Sequence, residues 1–376
     1  MNRRKFLTVL GGGTILAAGG AGALVATQTP RTALLPWNAP GSGYSDPRKR
    51  ALSWAILAPN PHNRQPWKVD LTDPETVVLY VDTERMLPHT DPFNRQITIG
   101  LGCFLEMARM AAAEDGWTME TELFPDGTDE HELDQRPVAI MRFVEGAVPD
   151  PLFRFASDRR SLKEPYDVTR EVSETALNTI LNASRTTRVA GHVDAASIAE
   201  WRILTHEALR IEIETPRTYK ESVDLFRVGA REVDRNPDGI DFTGPVFELL
   251  GATGMMDKDT LMDTSSTAYQ EGLKAVYANT DTAMGHLWQV TQTNRREDQI
   301  AAGRDWLRLN LAATAEGLGI QPLSQALQEY PEMAALYADV HDRLAPDGGT
   351  VQMLARIGYA PTVAPSPRWP LEAKII

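Results

Sequence analysis

Two stretches of this chain are apolar around most of a helical circumference, and shorter alternating segments surround each of them. The first lies within Asp91 to Glu114 and reads IGLGCFLEMARMAAA; the second, Arg304 to Gly319, reads RDWLRLNLAATAEGLG. Both are rich in small residues, and a helix with no polar face has to be buried at the centre of a domain. The glycines at the end of the second act as a stop. Around the first, PRKRALSWAILA from Pro47 places Leu52, Ala55 and Ile56 at helical spacing, and the β-branched run Thr76 to Val81 predicts a strand. Further strands are expected near Thr118 to Phe124 and at Val138 to Phe143, with a closing strand at Val351 to Tyr359. A helix capped by Ser173 is expected to run to Ala183, and an amphipathic helix from Ala195 to Glu212.

The pattern predicts an α+β fold with two tandem halves of similar grammar, a first half at 47–150 and a second at 151–376. Each half pairs one buried, Ala-rich helix with a following strand, which suggests an internal duplication. The second half carries extra chain, 220–283, which is polar in parts and includes the turn Asn236-Pro237-Asp238-Gly239 and the patch Gly254-Met255-Met256. It reads as short helices and loops and is a candidate lid. Residues 29–46, rich in Pro, Gly and Ser, read as a linker or an arm laid over the surface. The tail APSPRWPLEAKII reads as chain trailing away from the last strand.

With 376 residues and 42% hydrophobic composition the chain can bury a large core, and a net charge of −13 argues against a nucleic-acid partner. Residues 1–28 carry Arg3, Arg4 and Lys5 ahead of a weakly apolar Gly/Ala stretch, LGGGTILAAGGAGALVA. This looks like a signal for the twin-arginine export machinery, so the expected location is the periplasm or cell envelope, with membrane anchoring if the signal is not cleaved. The single cysteine, Cys103, excludes an internal disulfide and a CxxC site, and its apolar neighbours favour the core.

Candidate chemistry concentrates at two places. Ala58 to Val69, APNPHNRQPWKV, is broken by Pro59, Pro61 and Pro66, which stiffen the backbone carrying Asn60, His62, Asn63 and Gln65. Such a turn can grip a planar, hydrogen-bonding ligand, or it can simply cap the preceding helix. Asp158 to Tyr166 sets Arg159, Arg160, Ser161 and Lys163 within five residues, a match for a phosphate monoester or else a solvated run of charge. Arg368, isolated in a Pro-rich tail, is another possible phosphate partner. The seven histidines are scattered without metal-ligand spacing, so no metal site is expected, and no GxSxG motif offers a serine nucleophile. Glu120 and Glu122 share one side of a strand and read as solvated.

Together, NxQPW (Asn63, Gln65, Pro66, Trp67), RRSxK (Arg159, Arg160, Ser161, Lys163), a GLG-ended buried helix followed by Pro322-Leu323-Ser324, and Arg368 resemble the nitroreductase-like FMN flavoproteins. The similarity extends over about residues 47–376. Because the NxQPW turn lies in the first half and the RRSxK cluster in the second, the chain looks like the double-length, Acg-type branch, in which one chain imitates a dimer. The resemblance implies a nitroreductase-like three-layer fold, a monomeric pseudo-dimer, and one composite FMN site. Arg159 and Arg368 would hold the phosphate, Arg160 and Ser161 the phosphate or ribityl chain, and Lys163 the pyrimidine edge, where an ammonium stabilises negative charge on the reduced flavin. Asn60, Asn63 and Gln65 would come from the other half, and Pro322, Leu323 and Ser324 would lie beside the isoalloxazine face.

In such proteins the flavin does the chemistry, so no catalytic side chain is assigned. The expected function is an FMN-binding oxidoreductase passing hydride or electrons from NAD(P)H or another reductant to a small acceptor, a nitroaromatic or quinone. The alternative is a non-enzymatic FMN-binding or flavin-sequestering protein with the lid closed over the cofactor. This sequence departs from the family pattern at Asn60, Pro61 and His62, where small hydroxyl residues are usual, and at Ser366, where a Lys is common.

Overall fold

The protein is described by a computed structural model that covers residues 29–376, so the expected export signal lies outside the described residues. In the first half, helix α1 (Pro47–Ala55) leads through a turn to strands β1 (Trp67–Asp70) and β2 (Thr76–Val81), then to helix α2 (Arg95–Glu114) and strands β3 (Trp117–Leu123) and β4 (Ala139–Glu145). The strands form one antiparallel sheet in the order β1-β2-β4-β3. In the second half come helix α3 (Glu174–Leu181), strand β5 (Arg188–His192) and helix α4 (Ala195–Glu214). An insertion follows, made of α5 (Pro216–Asp224), β6 (Phe226–Val228), α6 (Ala230–Arg235), β7 (Ile240–Phe242), α7 (Pro245–Ala252), α8 (Lys258–Met262) and α9 (Thr267–Asp281). The chain returns through β8 (His286–Thr291), α10 (Arg296–Ala315), β9 (Gly319–Pro322), α11 (Ala334–Leu344) and β10 (Thr350–Gly358). A second antiparallel sheet has the order β5-β8-β10-β9.

The α+β class and most expected elements are present, and the differences have local causes. Helix α10 begins at Arg296, eight residues before the expected Arg304, although its first turn is polar. Asp298 stabilises that start by accepting from the Arg295 N–H at 3.2 Å, and the Arg296 guanidinium is buried against the carbonyls of Phe93 and Asp129. The 220–283 segment does form short helices, together with one small parallel sheet, β6 against β7. Among the described residues no helix is long and apolar enough to cross a membrane.

The two buried helices cross at a pair of glycines. A Cβ on Gly102 would stand 2.3 Å from the Ile300 carbonyl oxygen, and one on Gly303 would stand 2.0 Å from that of Ile99. The relation is reciprocal, because each glycine meets the carbonyl three residues before the other. The crossing places α2 and α10 at the centre of one continuous core that spans both sheets.

The tail does not trail away, contrary to the expectation from its Pro-rich composition. Ile375 bridges Val69 in parallel at the β1 edge of the first sheet, and Leu371 and Lys374 are buried. Apolar Leu371 and Ile375 pack on the core, and the Ile376 N–H bonds the Val69 carbonyl at 3.0 Å. The segment after the first sheet pairs as well, Ser161 with Ile320 at the β9 edge of the second. Each sheet is thus extended by chain that follows the other sheet in sequence.

Gly303→Ala provides a test of the crossing. Alanine normally favours a helix interior over glycine by about 1 kcal/mol, but here backbone occupies the space, so a net loss of about 1–3 kcal/mol is expected in thermal or denaturant unfolding. An unchanged or raised midpoint would mean that the helices do not meet there.

Candidate functional site

The turn after α1 is held in an unusual backbone. His62, Asn63 and Gln65, none of them glycine, have φ of 47°, 51° and 51°, in the left-handed region where side chains are strained. Its own polar groups maintain the shape: Asn60 Oδ1 accepts from the Gln65 N–H at 2.7 Å, Asn60 Nδ2 donates to the Ala58 carbonyl at 3.1 Å, and the Arg64 N–H bonds the Pro61 carbonyl. Helix α2 supports the turn from below, since Gly100 leaves just enough room for Pro61 and Asn60. Asn60 is therefore used in shaping the turn. Gln65 is fully buried, donating to the Pro237 carbonyl at 2.6 Å and accepting from the Trp369 N–H at 2.9 Å. Asn63 donates to the Pro367 carbonyl and accepts from Arg368 at 2.6 Å.

The cluster at 159–163 and the tail converge on this turn from the second half. Arg159 and Arg368 are both buried, and both donate to the Leu57 carbonyl, at 3.1 and 3.2 Å; Arg368 also bonds the Ala58 carbonyl. These carbonyls lie just past the C-terminus of α1, where the helix dipole is negative and suits a cation. Arg160 stands beside them, donating to the carbonyls of Ser157 and Val363. Among the described residues no carboxylate makes an ion pair with any of the three. Arg159 Nε and Nη1 and Arg368 Nε are buried donors without a partner. Burial, reinforced by the neighbouring guanidiniums, lowers the pKa of Arg159 to about 10 and of Arg368 to about 9; burial lowers Arg160 as well. Concentrated positive charge with unspent donors and no carboxylate bonded to it is suited to receiving an anion, although Asp241 and Asp158 act on Arg368 and Arg160 from further off.

Lys163 lies at the other end. Leu162 turns into the core against Gly319, its N–H bonds the Ile320 carbonyl, and Arg356 holds the backbone by donating to the Glu164 carbonyl at 2.7 Å. Lys163 consequently faces away from the core and is exposed. The protein around it lowers its ammonium pKa, and Asp241 on β7 opposes that shift. The Asp241 carboxyl is raised by the same crowding, with Lys163 and Arg368 pulling it down. Half-buried His62, 3.2 Å from the Ser222 hydroxyl on α5, is held down at a pKa of about 4 by burial first and then by the charges of Lys163 and Arg64. Pro322 ends β9 beside this segment, while Leu323 and Ser324 are buried, the Leu323 N–H bonding the Leu354 carbonyl. A separate cavity of about 440 Å³ lies between residues 32–44 and the body; it touches Arg368 but neither Lys163 nor His62.

The insertion is fastened to the same turn. Asp238 is buried and receives Arg64 at 3.1 Å, Arg85 at 2.5 Å and Arg227 at 3.1 Å, and the Gly239 N–H bonds the Asn63 carbonyl at 3.3 Å. Sequence reasoning found the Asn236–Gly239 turn but not its docking, because the three arginines lie in different segments. It missed Asp241 and Arg356 for the same reason. In the second half, the loop before β5 is filled from within: Asp305 on α10 accepts from the N–H groups of Arg185, Thr186 and Thr187 and from the Ser184 hydroxyl at 2.7–2.9 Å. The N–H groups of that loop are thus spent on Asp305.

No protein-family model matches the chain. It is 27% identical over 334 residues to acg of Mycobacterium tuberculosis, provisionally named an NAD(P)H nitroreductase, with 86% of this chain and 92% of the relative aligned. A second protein of that organism with the same provisional name is 25% identical over 339 residues, covering 85% and 88%. Among solved structures, the FMN-dependent nitroreductase NfnB of Mycobacterium smegmatis, in complex with NADPH, aligns with a TM-score of 0.31 and 19% identity, over 57% of this chain and 92% of its own.

Lys374 makes the tail's seat sensitive to pH. Its buried ammonium donates to the Gln65 carbonyl at 2.8 Å, and burial first, then the charge of Arg85, lowers its pKa to about 7 from 10.5. Between these values the unfolded chain binds a proton that the folded chain does not, so stability rises as pH climbs through that window. Relative to Lys374→Met, the wild type should gain stability by on the order of 1 kcal/mol per unit between pH 7 and 9, read by denaturant unfolding at each pH. A constant difference would show that Lys374 titrates normally.

Proposed function

We propose that the chain is an FMN-binding oxidoreductase folded as a single-chain pseudo-dimer, with one cofactor site shared between its halves. The observation that carries this reading is the arginine cluster: buried Arg159 and Arg368 have unpaired donors, Arg160 stands beside them, and no carboxylate is bonded to any of the three among the described residues, which fits the dianionic phosphate of FMN. Ser161 and Arg160 would serve the phosphate or ribityl chain. Lys163 would meet the ring end, with Pro322, Leu323 and Ser324 along its face, and Asn63 would hold Arg368 at the phosphate. Asn60 and Gln65 act by shaping the turn and seating the tail. The similarity to the two M. tuberculosis proteins over most of their length supports the reductase class. The reciprocal Gly102–Gly303 crossing and the exchange of edge segments support the pseudo-dimer.

Bound FMN would supply the hydride or electron transfer. The chain's own part is to neutralise the phosphate, to place an ammonium by the pyrimidine edge and to restrict access. His62, kept neutral near pH 7, adds no second cation beside Lys163. The acceptor is a small molecule, a nitroaromatic or quinone, reduced at the expense of NAD(P)H or another donor. With twin-arginine export, the site of action is the periplasm or cell envelope, where nicotinamide is scarce. A second reading, flavin sequestration under a closed lid, is favoured by the way Asp238 and Pro237 fasten the insertion onto the cofactor-side turn.

Purified protein should carry a flavin spectrum, and Arg368→Ala should weaken FMN binding by on the order of 10- to 100-fold, the value of one charge-assisted pair. Retention of full flavin in that variant would remove the arginine site from the proposal. Anaerobic mixing with NADH, NADPH and dithionite separates the two readings. Bleaching by a nicotinamide supports the reductase and counts against sequestration; bleaching by dithionite alone rules out an NAD(P)H-dependent reductase.

A further inference from the structure

The arm at 29–46 is anchored at both ends of the arginine cluster. The Arg368 N–H donates to the Ala33 carbonyl at 2.8 Å, and the Trp37 indole N–H donates to the Ser366 carbonyl at 2.8 Å. Asp234, on the insertion, accepts from the N–H groups of Arg31 and Ala33 at 2.9 Å. The Trp37 ring then lies against two guanidiniums at once, 4.9 Å from that of Arg160 and 5.4 Å from that of Arg368.

The π face of an indole carries negative potential and attracts a cation. Three guanidiniums gathered with no carboxylate bonded to them repel one another, and in the absence of a ligand they would tend to spread. An aromatic face opposes that without spending the N–H donors, which lie in the guanidinium plane and stay available to oxygen. A carboxylate at the same place would neutralise the site and compete with the ligand.

The geometry points to the arm as a third contributor to the anion site, with Trp37 as a positioning residue that holds Arg160 and Arg368 in place for a phosphate-bearing ligand. This rests on the FMN reading above. It makes cofactor retention depend on chain outside both sheet-bearing halves, and it ties the arm, the insertion and the tail into one closure around the phosphate end.

The test uses the full chain and compares FMN with riboflavin, which has the same ring system but no phosphate. Trp37→Ala should weaken FMN binding by about two- to thirtyfold, the range of such a contact, and leave riboflavin binding unchanged. Trp37→Phe should recover most of the loss. Asp234→Asn, which loosens the arm at Arg31 and Ala33 without touching Trp37, should lower FMN affinity part of the way. Unfolding midpoints confirm that each variant is folded. If wild type takes up FMN and folded Trp37→Ala binds it equally well, or loses riboflavin to the same degree, the arm's role is overturned. If wild type binds neither flavin, the FMN reading falls instead. The variants are then compared by the thermal shift that inorganic pyrophosphate gives, where an equal shift in wild type and Trp37→Ala overturns the arm's role.

Discussion

Everything else in the molecule is arranged around the close approach of two helix backbones. At Gly102 and Gly303 the carbonyls of Ile300 and Ile99 take the volume a side chain would need, and no other residue type permits that distance. With the helices in contact, the ends of α1 and α2 in the first half come within reach of the 159–163 segment and the tail in the second. Composite use of the two halves is then unavoidable: the Leu57 carbonyl receives guanidiniums from residues about a hundred and about three hundred positions later.

The site balances strain against charge. Three left-handed residues in the 62–65 turn and three guanidiniums with no carboxylate bonded to them are each unfavourable alone. They support one another: Arg368 holds Asn63, Asn63 holds Pro367, and Gln65 receives the Trp369 N–H, so the turn keeps its shape by keeping the cations close. Asp238 adds a third segment to the same lattice through Arg64.

Local features were legible in the sequence. Thr76–Val81 was bounded correctly because β-branched residues specify a strand without outside help, and Ser173 was recognisable as a cap because its hydroxyl serves its own helix, accepting from the Ala176 N–H. The two clusters of polar residues stood out for their spacing. What could not be read was partnership at long range. The tail's Pro content concealed its pairing with Val69, nothing near Trp37 announces two arginines far along the chain, and Asp305 looks like any helix-surface acid until the 184–187 loop is folded over it. The start of α10 was missed because two polar residues of its first turn, Arg296 and Gln299, are buried against other chain rather than exposed.

The Lys374 to Gln65 contact has a consequence for the order of events during synthesis. The Gln65 and Leu57 carbonyls receive Lys374 and Arg368 from some three hundred residues further along the chain. A nascent chain that has folded its first sheet holds the turn through Asn60 but lacks the groups that seat against it from the tail. The tail's contacts with the turn can therefore form only after residue 374 has left the ribosome, which makes the joining of the chain's two ends a single late step instead of a gradual one along the growing polypeptide.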